Sequence, residues 1–174
     1  MLGVPHDVAP VDLDETRQPD EEPATYATRL ATEKALAGAR QHPGRWALGA
    51  DTIVVLDEDV LGKPTSPADA EGMLCRMSGR QHEVITAVAL ARDAAASIRM
   101  DRTTVWFREL DAARIAAYVA TGEPMDKAGS YGAQGFGAVI VDRIEGDYFG
   151  VIGLPVRLVA ELMEEAGIPY SFTR

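Results

Sequence analysis

Apolar residues run almost unbroken over positions 48–56, and this stretch of β-branched and aliphatic side chains predicts a strand covered on both faces. Asp57, Glu58 and Asp59 make a polar turn, Val60 and Leu61 resume an apolar strand, and Gly62, Lys63 and Pro64 end it. Upstream, Pro23 stands where the first turn of a helix tolerates proline, among acidic residues that favour the positive end of the helix dipole, and the helix is predicted to reach about Arg40. Downstream, Ser66, Pro67 and Asp69 supply an N-cap, a first-turn proline and a first-turn acid. Ala70, Met73, Leu74 and Met77 then form the i, i+3, i+4, i+7 core stripe of a second helix, which Ser78 and Gly79 stop.

Strands are predicted at 82–91, carrying Val84, Val88 and Leu90, and at 103–107, with a hairpin loop at 94–96. A short strand is expected at 8–11. Asp111 caps a helix through Tyr118 and Val119 that ends near Gly122. Residues 139–144 read as a strand and 150–155 as a loop, and Leu158, Val159, Leu162 and Met163 form the core face of a last helix ending at Gly167. Helical and strand periods alternate without repeats, linkers or low-complexity stretches, so the prediction is a single mixed α/β domain over residues 1–174, long enough to bury a sizeable core.

Composition narrows the classes of function. Seventeen basic against twenty-seven acidic residues give a net charge of −10, a field that repels nucleic-acid polymers and leaves small anionic ligands only where local cations reverse the sign. No apolar run approaches the roughly 20 residues of a membrane span, and residues 1–14 lack the basic start and apolar block of a secretory signal. A single cysteine, Cys75, has no partner for an internal disulfide, which fits a cytoplasmic protein.

Against that background a few polar residues stand out. Asp51 lies in the middle of the apolar strand, where an unpaired charge is costly, so a metal, a lysine or a strong donor is expected to meet it; it is either part of a site or a cap on a nearby turn. Asp12, Asp14 and Glu15 are either a solvated loop or a source of hard oxygen ligands for Mg²⁺ or Mn²⁺. With Ala27 and Leu30, Lys34 falls on or beside the apolar stripe of the first helix, either snorkelling or turned inward to meet phosphate. Lys63 is either a surface lysine or a second cation facing the same cleft as Asp51. His82, alone at a strand entry, reads as a hydrogen-bonded structural residue more readily than as a base. Four glycines between Gly129 and Gly137 permit a ligand-lining loop or simply a tight turn, and their spacing matches neither a P-loop nor a dinucleotide fingerprint. Within that loop the amide of Gln134 offers both a donor and an acceptor, as reading a nucleobase edge requires, although a turn glutamine is the plain alternative.

Taken together, these stretches resemble the Maf family of nucleoside triphosphate pyrophosphatases along nearly the whole chain. The resemblance is carried by Asp14-Glu15-Thr16, Arg29-Leu30-Ala31 with Glu33-Lys34-Ala35, Gly49-Ala50-Asp51-Thr52, Gly62-Lys63-Pro64, and Ser78-Gly79 with His82 and Thr86. Asp126-Lys127-Ala128-Gly129 with Tyr131 and Gln134-Gly135, and Val151 with Gly153-Leu154-Pro155, complete it. It implies an elongated α/β fold related to the inosine triphosphate pyrophosphatases, with two lobes around a cleft. It also implies hydrolysis of a nucleoside triphosphate to the monophosphate and pyrophosphate, and a divalent cation, Mg²⁺ or Mn²⁺. Thr52 and Gln134 are similar to the subgroup acting on dTTP and UTP. The family opens with a strand and a Ser-x-x-Arg-Arg loop; this sequence starts at Met1-Leu2-Gly3-Val4, about where the helix after that loop should end.

The resulting expectation assigns Asp51 as base and metal ligand, Glu15 as metal ligand, Lys34 and Lys63 as phosphate-holding groups, and Thr52, Gln134 and Lys127 as substrate-binding groups. The partner is a small nucleotide, with no nucleic-acid polymer and no membrane, and a homodimer is left open. A nucleotide-binding regulatory module with little or no turnover is the alternative, and a plain interaction domain with an acidic surface is a third reading.

Overall fold

The computed structural model describes residues 3–172. Helix α1 spans Pro23–Gln41, with proline in its first turn and Ala27, Leu30, Ala31 and Ala35 buried along one face. Strands β1 (Ala47–Leu56) and β2 (Asp59–Leu61) form an antiparallel hairpin in the register Val54 to Leu61, Val55 to Val60 and Leu56 to Asp59. Its two-residue turn puts Asp57 at φ 59°, a left-handed conformation that aspartate tolerates. Helix α2 (Pro67–Met77) starts as its chemistry predicts, with the Ser66 hydroxyl accepting from the Asp69 N–H.

Strands β3 (Gln81–Arg92) and β4 (Ala95–Phe107) are joined by Asp93 and Ala94 alone. The expected loop at 94–96 is therefore two residues, with Asp93 at φ 56° making the turn, and β4 begins eight residues before Thr103. Its first half is broken by small, polar and charged residues such as Ser97, Arg99, Asp101 and Arg102, which hides it from an apolar-run reading. Helix α3 (Ala112–Val119) is capped by the Asp111 carboxylate on the Arg114 N–H. Strand β5 (Val141–Glu145) pairs antiparallel with β4 and starts two residues later than expected, because Gly135–Val139 winds into a 3₁₀ turn. The anticipated loop at 150–155 begins inside a one-turn helix, α4 (Tyr148–Val151), which precedes the last helix α5 (Val156–Glu165). The sheet order is β2-β1-β3-β4-β5.

Residues 3–18 form neither helix nor strand, so the short strand expected at 8–11 is absent. Pro5 and Pro10 lack the N–H that a ladder requires, and Val8 is 85% exposed, with Ala9 and Val11 only half-buried.

The chain divides into two compact units, and the division falls inside β1 between Asp51 and Thr52. The first unit holds Met1–Asp51, Thr86–Asp101 and Gly153–Arg174; its core sets Val88 and Leu90 of β3 against Leu158, Val159, Leu162 and Met163 of α5. In this unit α1 lies directly on β1. A Cβ at Gly49 would sit 2.4 Å from the Ala31 carbonyl oxygen and 2.5 Å from the Ala35 nitrogen, so only glycine permits the approach.

The second unit, Thr52–Ile85 with Arg102–Ile152, packs Val54, Leu56 and Leu61 with Leu74, Met77, Val105, Phe107 and Ile115. His82 is buried here, bonded through Nε2 to Tyr131 Oη at 2.8 Å and edge-on to Phe107, while its Nδ1 has no partner among the described residues. The histidine is part of the packing, and burial pushes its pKa down to about 4.

Two predictions follow from this packing. Because the folded pKa of His82 lies below its ordinary value, the unfolded chain binds the extra proton between about pH 6.5 and 4, and stability is lost as pH falls through that window. Urea unfolding should show a fall of about 2 kcal/mol between pH 7 and pH 5 attributable to this group, and His82→Phe should flatten the dependence by that amount. Gly49→Ala should destabilise the fold by about 3 kcal/mol in urea melts at pH 7, because the atoms it meets are helix backbone and cannot step aside.

Candidate active site

The close approach of α1 to β1 brings three charged groups together. Lys34 Nζ lies 2.7 Å from Asp51 Oδ1 and 2.7 Å from Glu15 Oε1. The Asp51 side chain is 10% exposed, that of Lys34 22% and that of Glu15 47%, so the constellation runs from a nearly buried carboxylate through the ammonium to one open to solvent. Burial works against the Lys34 charge, but the hydrogen bonds and charges of Asp51 and Glu15 outweigh it, and the ammonium pKa is raised. Gly49 and Asp51 occupy the strand face turned to α1. Alternation places Ala50, and with it Thr52, on the opposite face.

The loop carrying Glu15 is tied to α1 by residues that sequence reasoning did not single out for a role. Arg29 grips the buried Glu21 carboxylate with two bonds, 2.7 Å from Nε and 3.0 Å from a terminal nitrogen, and reaches the Thr16 carbonyl at 3.1 Å. The Arg29 guanidinium holds the Glu21 carboxyl down at about 2, against the opposing effect of desolvation. Arg17 donates to the Glu21 carbonyl, and the Tyr26 hydroxyl donates to the Glu15 carbonyl at 2.7 Å. Burial raises the Tyr26 phenol pKa, with the negative charges of Asp51 and Glu15 adding to it. Tyr26, Arg29 and Glu33 recur at helical spacing, which was visible in the sequence; that Glu21 would fold back as the partner of Arg29 was not.

In the second unit the Gly129 N–H donates to the Gly62 carbonyl at 3.0 Å, joining the stretch after Lys127 to the end of β2 beside Lys63. Lys127 Nζ lies 2.7 Å from Asp126 Oδ1, and that bond, with the Lys127 and Lys63 charges, holds the Asp126 carboxyl below its ordinary value. Lys63 is exposed and makes no ion pair among the described residues, and Gln134 is exposed on the glycine-rich loop. The glycines of that loop answer to local packing: a Cβ at Gly132 would meet the Lys127 stem at 2.9 Å, and one at Gly129 would meet Val54 at 2.9 Å.

No group of three or more His, Cys, Asp or Glu side chains positioned for a metal occurs among the described residues. Glu15 and Asp51 nevertheless converge on one cationic point, now held by Lys34. Two carboxylates completed by phosphate oxygens are a donor set that Mg²⁺ accepts, so the residues fit a cation shared with an anionic ligand rather than an all-protein cage. No helix among the described residues is long and apolar enough to cross a membrane.

Comparison with known proteins identifies the family of the chain. The family model described as Maf-like protein matches residues 1–166. A Shewanella sp. (strain MR-7) protein named dTTP/UTP pyrophosphatase is 52% identical over 164 residues, covering 92% of this chain and 84% of the relative. Proteins of the same name from Alcanivorax borkumensis and Desulfotalea psychrophila are 47% identical over 172 residues and 46% over 166, covering 98% and 94% of this chain and 89% and 84% of the relatives. With a family match over this span and relatives near half-identical along almost the entire sequence, the chain belongs to the Maf family.

Proposed function

We propose that this protein hydrolyses nucleoside triphosphates, dTTP and UTP in preference to others, to the monophosphate and pyrophosphate. One observation carries the reading: Lys34 Nζ stands 2.7 Å from a nearly buried carboxylate and 2.7 Å from an open one, in a chain whose relatives bear the name dTTP/UTP pyrophosphatase. A phosphorus shielded by anionic oxygens reacts with water only where positive charge offsets the charge that develops and a base takes the water's proton.

Asp51 is assigned as that base, held in orientation by Lys34. The water oxygen bonds to the α-phosphorus, its proton passes to Asp51, and the bond from that phosphorus to the bridging oxygen breaks with its electron pair leaving on pyrophosphate. Pyrophosphate is a stable anion, so the chemistry needs no separate general acid. Lys34 and Lys63 are assigned to phosphate oxygens, where an ammonium acts as a point charge. A divalent cation, Mg²⁺ or Mn²⁺, held by Glu15 and Asp51 would supply further charge neutralisation when bound. In the second unit Gln134 is assigned to the base edge, with Thr52 and Lys127 as additional substrate-binding groups. The substrate is a small molecule of the cytoplasmic nucleotide pool.

Pyrophosphate release measured across canonical and modified triphosphates tests the reading, with dTTP and UTP expected above CTP and the purines; a chain that releases none, or that prefers purines, overturns it. Asp51→Asn should keep the shape of the site and lower kcat by on the order of 10²-fold or more, and turnover close to the parent's would make Asp51 structural. Gln134→Glu exchanges an amide donor for an acceptor, so kcat/KM for dTTP and UTP should fall about tenfold. CTP should lose less, because its exocyclic amine can donate to the new carboxylate. An equal fall for all substrates would show that Gln134 supports the loop instead of reading the base.

A further inference from the structure

Gln134 stands at the tip of a loop whose two legs are tied to one pair of side chains outside it. Two residues before it, the Gly132 N–H donates to Tyr118 Oη at 3.1 Å. Two and three residues after it, the Phe136 N–H donates to Glu123 Oε2 at 2.9 Å and the Gly137 N–H to Glu123 Oε1 at 2.8 Å. Tyr118 Oη donates in turn to Glu123 Oε1 at 2.9 Å, closing the pair.

The legs also touch. A Cβ on Gly137 would lie 2.2 Å from the Gly132 carbonyl oxygen and 2.6 Å from Tyr118 Oη, and one on Gly135 would lie 2.4 Å from Glu123 Oε2. Gly135 turns the chain at φ 68°, immediately after Gln134 in extended conformation. The tip itself is exposed at Gln134, Gly135 and Phe136, while Ala133 on the leading leg is buried in the core of the unit. Around the tip the main chain is held by its bonds to the carboxylate and the phenol. An ionised carboxylate only accepts, which suits three converging donors, and bonds to it are stronger than neutral ones. Desolvation opposes its charge, but the Gly137 and Phe136 amides and the Tyr118 hydroxyl outweigh it and hold the carboxyl below its ordinary pKa.

We propose that Glu123, together with Tyr118, is the positioning residue that sets where the Gln134 amide points and thereby the base preference of this protein. Neither touches substrate; both act through the backbone of residues 132–137. The inference rests on the reading of Gln134 as the group that meets the base.

The test uses Glu123→Gln and the milder Tyr118→Phe in the full chain. Amide hydrogen exchange is followed at residues 132, 136 and 137, and Kd is measured for the α,β-methylene analogues of UTP and CTP and for inorganic tripolyphosphate. Exchange should quicken tenfold or more at Phe136 and Gly137 in Glu123→Gln, and at Gly132 in Tyr118→Phe. The preference for the UTP over the CTP analogue should shrink at least threefold, with tripolyphosphate binding unchanged within twofold. Unaltered exchange in both variants overturns the clamp, and quickened exchange with an unaltered preference overturns its role in specificity. Equal weakening of all three ligands overturns that role as well, because a general loss of structure does not distinguish bases. If the unsubstituted chain binds the two analogues equally, the assignment of Gln134 fails and the specificity role with it, while the exchange data still judge the clamp separately.

Discussion

Asp51 reaches the α1 side of β1 because Gly49 lets helix and strand backbones meet, and the same contact takes nine-tenths of its side chain out of water. A carboxylate in that position without a partner would cost the fold about 3–5 kcal/mol, and a lysine there without a carboxylate would tend to lose its proton. Lys34 resolves both at once, and Glu15 adds a second anion from the solvent side. The arrangement leaves a charged, oriented carboxylate at the surface of a packed unit. Such a group is more useful for chemistry than for stability, since buried ion pairs return little net free energy.

The chain holds the two loops that carry candidate site residues by one device used twice. In the first unit Arg29 on α1 grips Glu21 and the Thr16 carbonyl, fixing the segment that carries Glu15. In the second, Glu123 and Tyr118 grip the legs of the loop that carries Gln134. In each case a charged side chain satisfies backbone groups of the segment, and the group at the tip stays exposed.

Charge is also divided by residue type. The sequence contains only three lysines, Lys34, Lys63 and Lys127, and every other basic residue is arginine. Among the described residues arginine makes most of the exposed ion pairs, such as Arg76 with Asp59, Arg80 with Asp57 and Arg102 with Glu83, and Lys127 makes one with Asp126. The three lysines are the three candidate phosphate or substrate cations. A compact ammonium with three rotatable donors fits between two carboxylates from different elements, where a planar guanidinium fork would seek a single one in bidentate geometry. In a chain of net charge −10 the lysines are the candidate points where an anionic ligand meets positive charge.

The sequence by itself determined the elements whose period or cap is local: α1 behind its proline, α2 behind Ser66, α3 behind Asp111, and the apolar strands β1 and β3. It also singled out Asp51, because a carboxylate inside an apolar run is legible without knowing its neighbours, and it carried the family motifs. Only tertiary structure decided the rest. The first half of β4 is half-exposed and polar, and exists as a strand because its neighbour in the sheet supplies the ladder. The stretch at 8–11 reads as a strand but forms none, with Pro10 unable to donate to a ladder and Val8 left exposed. Which partner meets Asp51, that Glu21 turns back onto Arg29, and that the glycines near Gln134 make room for Glu123 and Tyr118 all depend on contacts 8 to 19 residues apart along the chain. No local propensity records such contacts, because the free energy that selects them comes from desolvating and pairing groups that meet only after the elements have packed.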